Sequence, residues 1–325
     1  MRLPAEWEGQ RATLLAWPDA GGDWADRLPE IQAEYRELIE RILPYQPVIA
    51  LVQSADRIGS LPCVDHPDLH PVVIPYNDTW CRDYGPICLA GGPGHATALD
   101  FRFDAWGGKY ESRDDDRVNR RLIDHPLLSG YAHVAVDLEL EGGAIESDGQ
   151  RRVLVNWWCL EKRLPELARF EIAEHLKTEL QLEAVLGIEV PALPGDDTDG
   201  HIDTMARFVS DGRIVYQQQP DPVWTQTLES ELQSLRRLDG EPYQLIGLPC
   251  VEAFDQALPA NYTNFVFVNG ACLVPAYGVK SDKAAVGLFS ELLPDRDVIP
   301  VPARTMITQF GGPHCATMHI PELVR

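Results

Sequence analysis

Residues 264–278 read NFVFVNGACLVPAYG. This is apolar sequence of strand length, interrupted and closed by glycine, as buried strands are. Stretches of the same kind recur along the chain: RATLLAWP at 11–18, PVIALV at 47–52, PICLA at 86–90, RRVLVNWW at 151–158 and RIVYQ at 213–217. Amphipathic helical spacing lies between them. Ile31, Tyr35, Leu38, Ile39 and Ile42 share one helical face, and Trp224, Leu228, Leu232 and Leu235 share another. Leu164, Leu167, Ile172 and Leu176 follow the same spacing, with Pro165 suited to a first turn, and Asp282 is placed to cap a helix through 283–293. Interleaved strands and helices from end to end predict a mixed α/β protein. With no long linker or low-complexity segment, residues 1–325 are expected to form a single domain. The most polar stretch, YESRDDDRVNRR at 110–121, reads as a solvated surface segment.

Bulk properties narrow the function. A chain of 325 residues with 45% hydrophobic and 24% charged content can bury a substantial core. No run approaches the ~20 apolar residues of a membrane span, so no membrane partner is expected. The opening residues carry no apolar signal core, and seven cysteines without a CxxC pair suit a reducing, cytoplasmic setting. A formal net charge of -22 argues against nucleic acid as a partner and is compatible with attracting a small cation. The oligomeric state is open, a homo-oligomer included.

Four polar clusters sit beside the strand-like runs, where sites are usually built: NDTWCRDYGP at 77–86, LELEGGAIESDG at 138–149, PGDDTDGHIDTMARF at 194–208 and GGPHC at 311–315. In the third, His201 and Asp203 would face one side of an extended segment. They admit three readings: metal ligands, an acid/base histidine with its carboxylate, or a Gly/Asp turn whose side chains cap backbone. Glu141 precedes two glycines at a strand end, and Asp83 lies between Trp80 and a Gly-Pro turn. Trp80 suits either the core or stacking on a planar ligand. Cys88, Cys159 and Cys272 sit in apolar runs as inert thiols. Cys315, after two glycines and beside His314, reads as an exposed thiol of lowered pKa. A thiolate ringed by carboxylates disfavours an oxyanion but matches a cationic electrophile, and a planar guanidinium paired by carboxylates fits.

Taken in order, MRLPAEWEGQRATLLAWP, NDTWCRDYGP, AWGGKY, LEGGAIESDG, DTDGHIDTMARF, PANYTNFVFVNGACLVPAYG and GGPHC resemble the agmatine deiminase and bacterial peptidyl-arginine deiminase family over essentially the whole chain. The resemblance implies the pentein fold, a five-bladed pseudosymmetric α/β propeller around a central site. It implies Cys315 as nucleophile, His201 as acid/base and Glu141 as the acid supporting that histidine. Asp83 and Asp203 would clamp the guanidinium, with Trp80 as a wall. No metal or other cofactor is implied. The expected reaction is hydrolysis of agmatine to N-carbamoylputrescine and ammonia through an amidino-cysteine, in putrescine biosynthesis. The alternatives are peptidyl arginine or another guanidine as substrate, and, from a different class, a metal-dependent hydrolase or binding protein. Two departures stand out: Gly311-Gly312-Pro313-His314-Cys315 is one residue shorter than the family's usual run, and Glu146 stands where His is common.

Overall fold

The computed structural model describes residues 1–91, 95–251 and 258–323. Sixteen strands among them form five small sheets. Four sheets share one plan: a short first strand pairs antiparallel with a second, which a helical crossover joins to a parallel third. They are β4 (Ile87–Leu89), β5 (Ala96–Arg102) and β6 (Tyr131–Glu139); β7 (Ile145–Ser147), β8 (Arg152–Asn156) and β9 (Ala184–Ile188); β10 (Ala206–Ser210), β11 (Arg213–Gln217) and β12 (Gln244–Leu248); and β13 (Val266–Val268), β14 (Ala271–Ala276) and β15 (Asp297–Pro302). The fifth sheet is assembled from both ends of the chain. β16 (Thr317–Pro321) pairs antiparallel with β1 (Gln10–Ala16), which pairs in parallel with β2 (Val48–Val52), and β3 (Leu69–Val73) extends the edge. The last strand thus supplies the first strand of a sheet begun at the N-terminus, and the five units form an α/β propeller.

The apolar runs at 11–18, 47–52, 86–90, 151–158, 213–217 and 264–278 supply β1, β2, β4, β8, β11 and the hairpin β13–β14. Helix Leu28–Ile42 buries Ile31, Tyr35, Leu38, Ile39 and Ile42, and helix Pro222–Ser234 buries Trp224, Leu228 and Leu232, the faces their spacing predicts. Each such side chain contributes roughly 1.5–3 kcal/mol when fully buried.

Three local expectations are corrected. Pro165 lies outside both helix Trp157–Arg163 and helix Arg169–Glu179, so its apolar neighbours do not form one helix. Asp282 sits inside the first turn of helix Ser281–Leu292, accepting hydrogen bonds from the backbone of Tyr277, Gly278 and Val279. The polar segment at 110–121 is not wholly solvated. Asp115 is buried and accepts from the Asn77 and Asp78 amides, while the Asn119 amide reaches the Tyr84 carbonyl and Asp100. Charge density along the sequence missed this because those partners lie about 20 to 40 residues away.

Candidate active site

The polar side chains converge because each hangs from the connection that enters the first strand of a different sheet. Asp83 lies in the short helix Cys81–Tyr84 before β4, and Glu141 precedes the turn Gly142–Ala144 before β7. His201 and Asp203 flank and enter the turn Ile202–Thr204 before β10. Asn264 stands two residues before β13, and Cys315 two residues before β16.

The turn carrying His201 is built by its acidic neighbours. Asp196 accepts from the Gly200 amide at 2.7 Å and from the Thr198 hydroxyl at 2.8 Å, and that hydroxyl accepts from the His201 amide at 3.1 Å. Asn156, at the end of β8, donates to the Gly200 and Val190 carbonyls at 2.9 Å. Asp199 pairs with Lys109 and Lys162. The run 196–199 therefore divides: Asp196 makes the turn, Asp199 ties down a neighbouring segment, and Asp197 faces the cavity described below. Among the described residues, no three His, Cys, Asp or Glu side chains are arranged to hold a metal ion.

His201 is fully buried, with Nδ1 3.7 Å from Asp83 Oδ1 and Nε2 3.9 Å from Glu141 Oε2. Among the described residues, neither ring nitrogen has a hydrogen-bond partner, and neither does Asp203 Oδ1. Glu141 is ion-paired with Arg163. Burial raises its carboxyl, opposed by the charges of Arg163 and His201. Asp83 accepts from the Trp106 indole and the Gly143 amide, both at 2.9 Å. Burial also lifts the Asp83 carboxyl, against His201 and helped by Asp203. Asp203 goes the other way. Burial would raise it, but the hydrogen bond and charge of His314, with His201 and Arg207, outweigh that and hold it low.

Gly143 lies where these groups meet. A Cβ there would stand 2.5 Å from His201 Nδ1, 2.8 Å from Asp83 Oδ1 and 3.2 Å from Asp203 Oδ2.

Cys315 departs from its expected state. It is only 6% exposed, and burial together with the Asp203 and Asp83 carboxylates pushes its thiol well above the ordinary value. Its Sγ accepts from Asn264 Nδ2 at 3.1 Å and lies 3.7 Å from Asp203 Oδ2. Asn264 Oδ1 also accepts from the His314 and Cys315 amides, at 2.9 and 3.2 Å. The GGPHC loop is pinned from both sides: a Cβ on Gly311 would strike the Trp80 ring at 2.6 Å, and one on Gly312 the Asn264 side chain at 2.6 Å. Glu34 accepts from the Thr305 and Met306 amides and anchors the turn leading into this loop.

Cys315 and Asp83 open into a cavity of about 220 Å³. Trp80, Trp106, Tyr110 and Phe310 wall it, Asp23, Asp78 and Asp197 join Asp83 on its lining, and among the described residues no Lys or Arg lines it. Trp80 lies edge-to-face on Trp24 at 5.9 Å. His201, Asp203 and Glu141 sit behind this lining. Trp106 lies in a run of four left-handed residues, Ala105 to Gly108, held by Asp104 accepting from the Gly107 amide and by Tyr110 donating to Asp197. Non-glycine residues persist in that conformation where their surroundings over-determine it.

All six residues singled out from sequence thus lie at one centre, whereas Asn264, Trp106, Arg163 and Glu6 escaped attention. Asn264 and Trp106 fall within the motifs AWGGKY and PANYTNFVFVNGACLVPAYG, but nothing local distinguishes an asparagine that holds a thiol from one that closes a turn.

Residues 2–321 match the model of the Porphyromonas-type peptidyl-arginine deiminase family. An agmatine deiminase of Stutzerimonas stutzeri is 27% identical, over 98% of this chain and 95% of its own. The structure of a substrate-bound agmatine deiminase from C. jejuni superposes with a TM-score of 0.91 at 30% identity, covering 100% of this chain and 97% of that one. A Porphyromonas gingivalis structure described as a candidate arginine deiminase also reaches 0.91, at 39% identity, covering 99% and 98%. The chain belongs to the Porphyromonas-type peptidyl-arginine deiminase family.

Proposed function

We propose that this enzyme is a single-domain cytosolic agmatine deiminase that hydrolyses agmatine to N-carbamoylputrescine and ammonia, on a route to putrescine. The observation that carries the substrate choice is the aspartate-lined cavity. Agmatine is cationic at both ends. Arginine adds an α-carboxylate, which this acidic lining repels; Lys109, 3.4 Å from Asp197 Oδ1, offsets only one of its four aspartates. Kinship with agmatine deiminases supports the same reading. Deimination of arginine or peptidyl arginine is the second reading, favoured by the family's description and the P. gingivalis relative.

The chemistry follows from the buried charges. Before substrate enters, the thiol is neutral, held so by burial and two carboxylates. A guanidinium between Asp83 and Asp203 brings a positive charge beside Sγ and favours the thiolate. Sulfur attacks the guanidinium carbon. His201 protonates the departing nitrogen, which leaves as ammonia, and an amidino group stays on Cys315. His201 then takes a proton from water, which adds to the same carbon, and the C–S bond breaks to return the thiol and the urea product. Glu141, between Arg163 and His201, supports the imidazolium. The unpartnered buried atoms of His201 and Asp203 are the acceptors and donors this scheme assigns to substrate.

Acid-quenched enzyme should carry an amidino adduct on Cys315 during turnover, read by peptide mass spectrometry. Cys315→Ala should abolish both adduct and ammonia. Unchanged turnover in that variant would remove the nucleophile from the scheme.

A further inference from the structure

His314 does more than precede the nucleophile. Its ring is buried, with Nδ1 2.7 Å from Asp203 Oδ2 and Nε2 2.8 Å from Glu6 Oε2. Ionised carboxylates only accept hydrogen bonds, so a ring set between two of them satisfies both by donating from each nitrogen. Glu6 is fixed from several directions. Its Oε1 accepts from the Phe267 amide at 2.8 Å, and its Oε2 lies 3.1 Å from the Arg207 and 3.2 Å from the Arg82 guanidinium. Arg207 in turn pairs with Glu146 at 3.1 Å. His319, 3.8 Å from Glu6, is pushed down to about 3 by burial and stays neutral. Burial would raise the Glu6 carboxyl, but Arg207, His314 and Arg82 draw it well below the usual range.

We propose that His314 is a positioning residue: a fixed imidazolium, anchored by Glu6, that keeps Asp203 anionic and orients its Oδ1 toward the substrate guanidinium. Asp203 Oδ2 is spent on His314, while Oδ1 is buried with no partner among the described residues. That leaves one acceptor oxygen for the incoming cation, held by a bond that fixes the other. An aspartate in a dry site beside Asp83 and the thiol would otherwise take up a proton and lose its grip on the guanidinium. The inference rests on the guanidine-deiminase reading and adds the link between the N-terminal segment and the clamp.

The direction of the test follows from linkage. Removing the imidazolium removes what holds Asp203 low, so its pKa rises and the acid limb of kcat/KM moves to higher pH. His314→Gln should lower kcat/KM at pH 7 by about 10- to 100-fold, the size of one lost charge-assisted hydrogen bond, and shift that limb upward. Glu6→Gln should shift it the same way, by less. A purely structural role would reduce the folded fraction and scale kcat while leaving the limb in place. An unmoved limb in variants with native circular dichroism overturns the proposal.

Should both variants fail to fold, ring ¹⁵N NMR of the unaltered protein is decisive. Both His314 nitrogens should carry a proton in the folded protein at pH 7, and one unprotonated nitrogen overturns the proposal. This readout needs no turnover. Failure of the deiminase reading instead shows as no ammonia from any guanidine with the unaltered enzyme.

Discussion

Asp83 and Asp203 share a buried centre, yet their carboxyls are pushed in opposite directions, one raised mainly by burial and the other held low through His314. Each is assigned one side of the guanidinium, so Asp83→Asn and Asp203→Asn should each cut kcat/KM by about 10²- to 10³-fold, as loss of one partner from a buried ion pair does. Circular dichroism should remain native, and retained activity in both would remove the clamp. Asp78, on the cavity wall, is pushed up to about 7, chiefly by burial, with Asp23 and Asp83 adding to the rise. It gains its charge as pH rises through that value, so KM for agmatine should fall between pH 6 and 8 by about 3-fold or more, a slope that Asp78→Asn should flatten. The thiol is the residue whose state the sequence misrepresented. Flanking glycines and a histidine suggested exposure, but Trp80 and Asn264, roughly 230 and 50 positions away, enclose the loop. A cationic haloacetamidine should therefore alkylate Cys315 far faster than neutral iodoacetamide, since only the former brings the charge that ionises it. Equal rates would contradict substrate-assisted ionisation.

Elements position these residues through close backbone approach. Gly143 is pressed among His201, Asp83 and Asp203, whereas a Cβ on Gly108, in the left-handed run beside Trp106, would meet none of the described residues within 4 Å. Gly143→Ala should cost about 1–3 kcal/mol by overpacking and abolish turnover. Gly108→Ala should cost about 1 kcal/mol of backbone strain and leave turnover largely intact. Denaturant melts with parallel assays check the pair, and an active Gly143→Ala would show that the three groups need not meet there. Helix Leu28–Ile42 was readable because its five apolar positions recur at helical spacing, a local property. The connection at 77–86 was not. Asp83 and Arg82 sit in one helical turn, too short to show a periodicity, where Arg82 turns to Glu6 and Asp83 to the Gly143 amide.

At the scale of the molecule, the five-fold repetition could not be aligned from sequence because what repeats is a place. The connection entering each first strand carries Asp83, Glu141, His201 with Asp203, Asn264 or Cys315, a different chemistry in every sheet. Only the family resemblance supplied the propeller, and the structure shows why residue identity could not. The ring closes where β16 pairs with β1, two residues after Cys315. Removing residues 317–323 should therefore abolish turnover and broaden thermal unfolding although Cys315 remains in the chain, and a fully active truncated protein would deny that closure positions the thiol. On the proposed function, Cys315 opens into an acidic cavity that selects a substrate without a carboxylate. Ammonia release measured side by side on agmatine, free arginine and a peptide ending in arginine, the last two carrying the carboxylate that agmatine lacks, decides this. The kcat/KM for agmatine should lie far above the other two; equal values, or a preference for either arginine substrate, would rule out that selection.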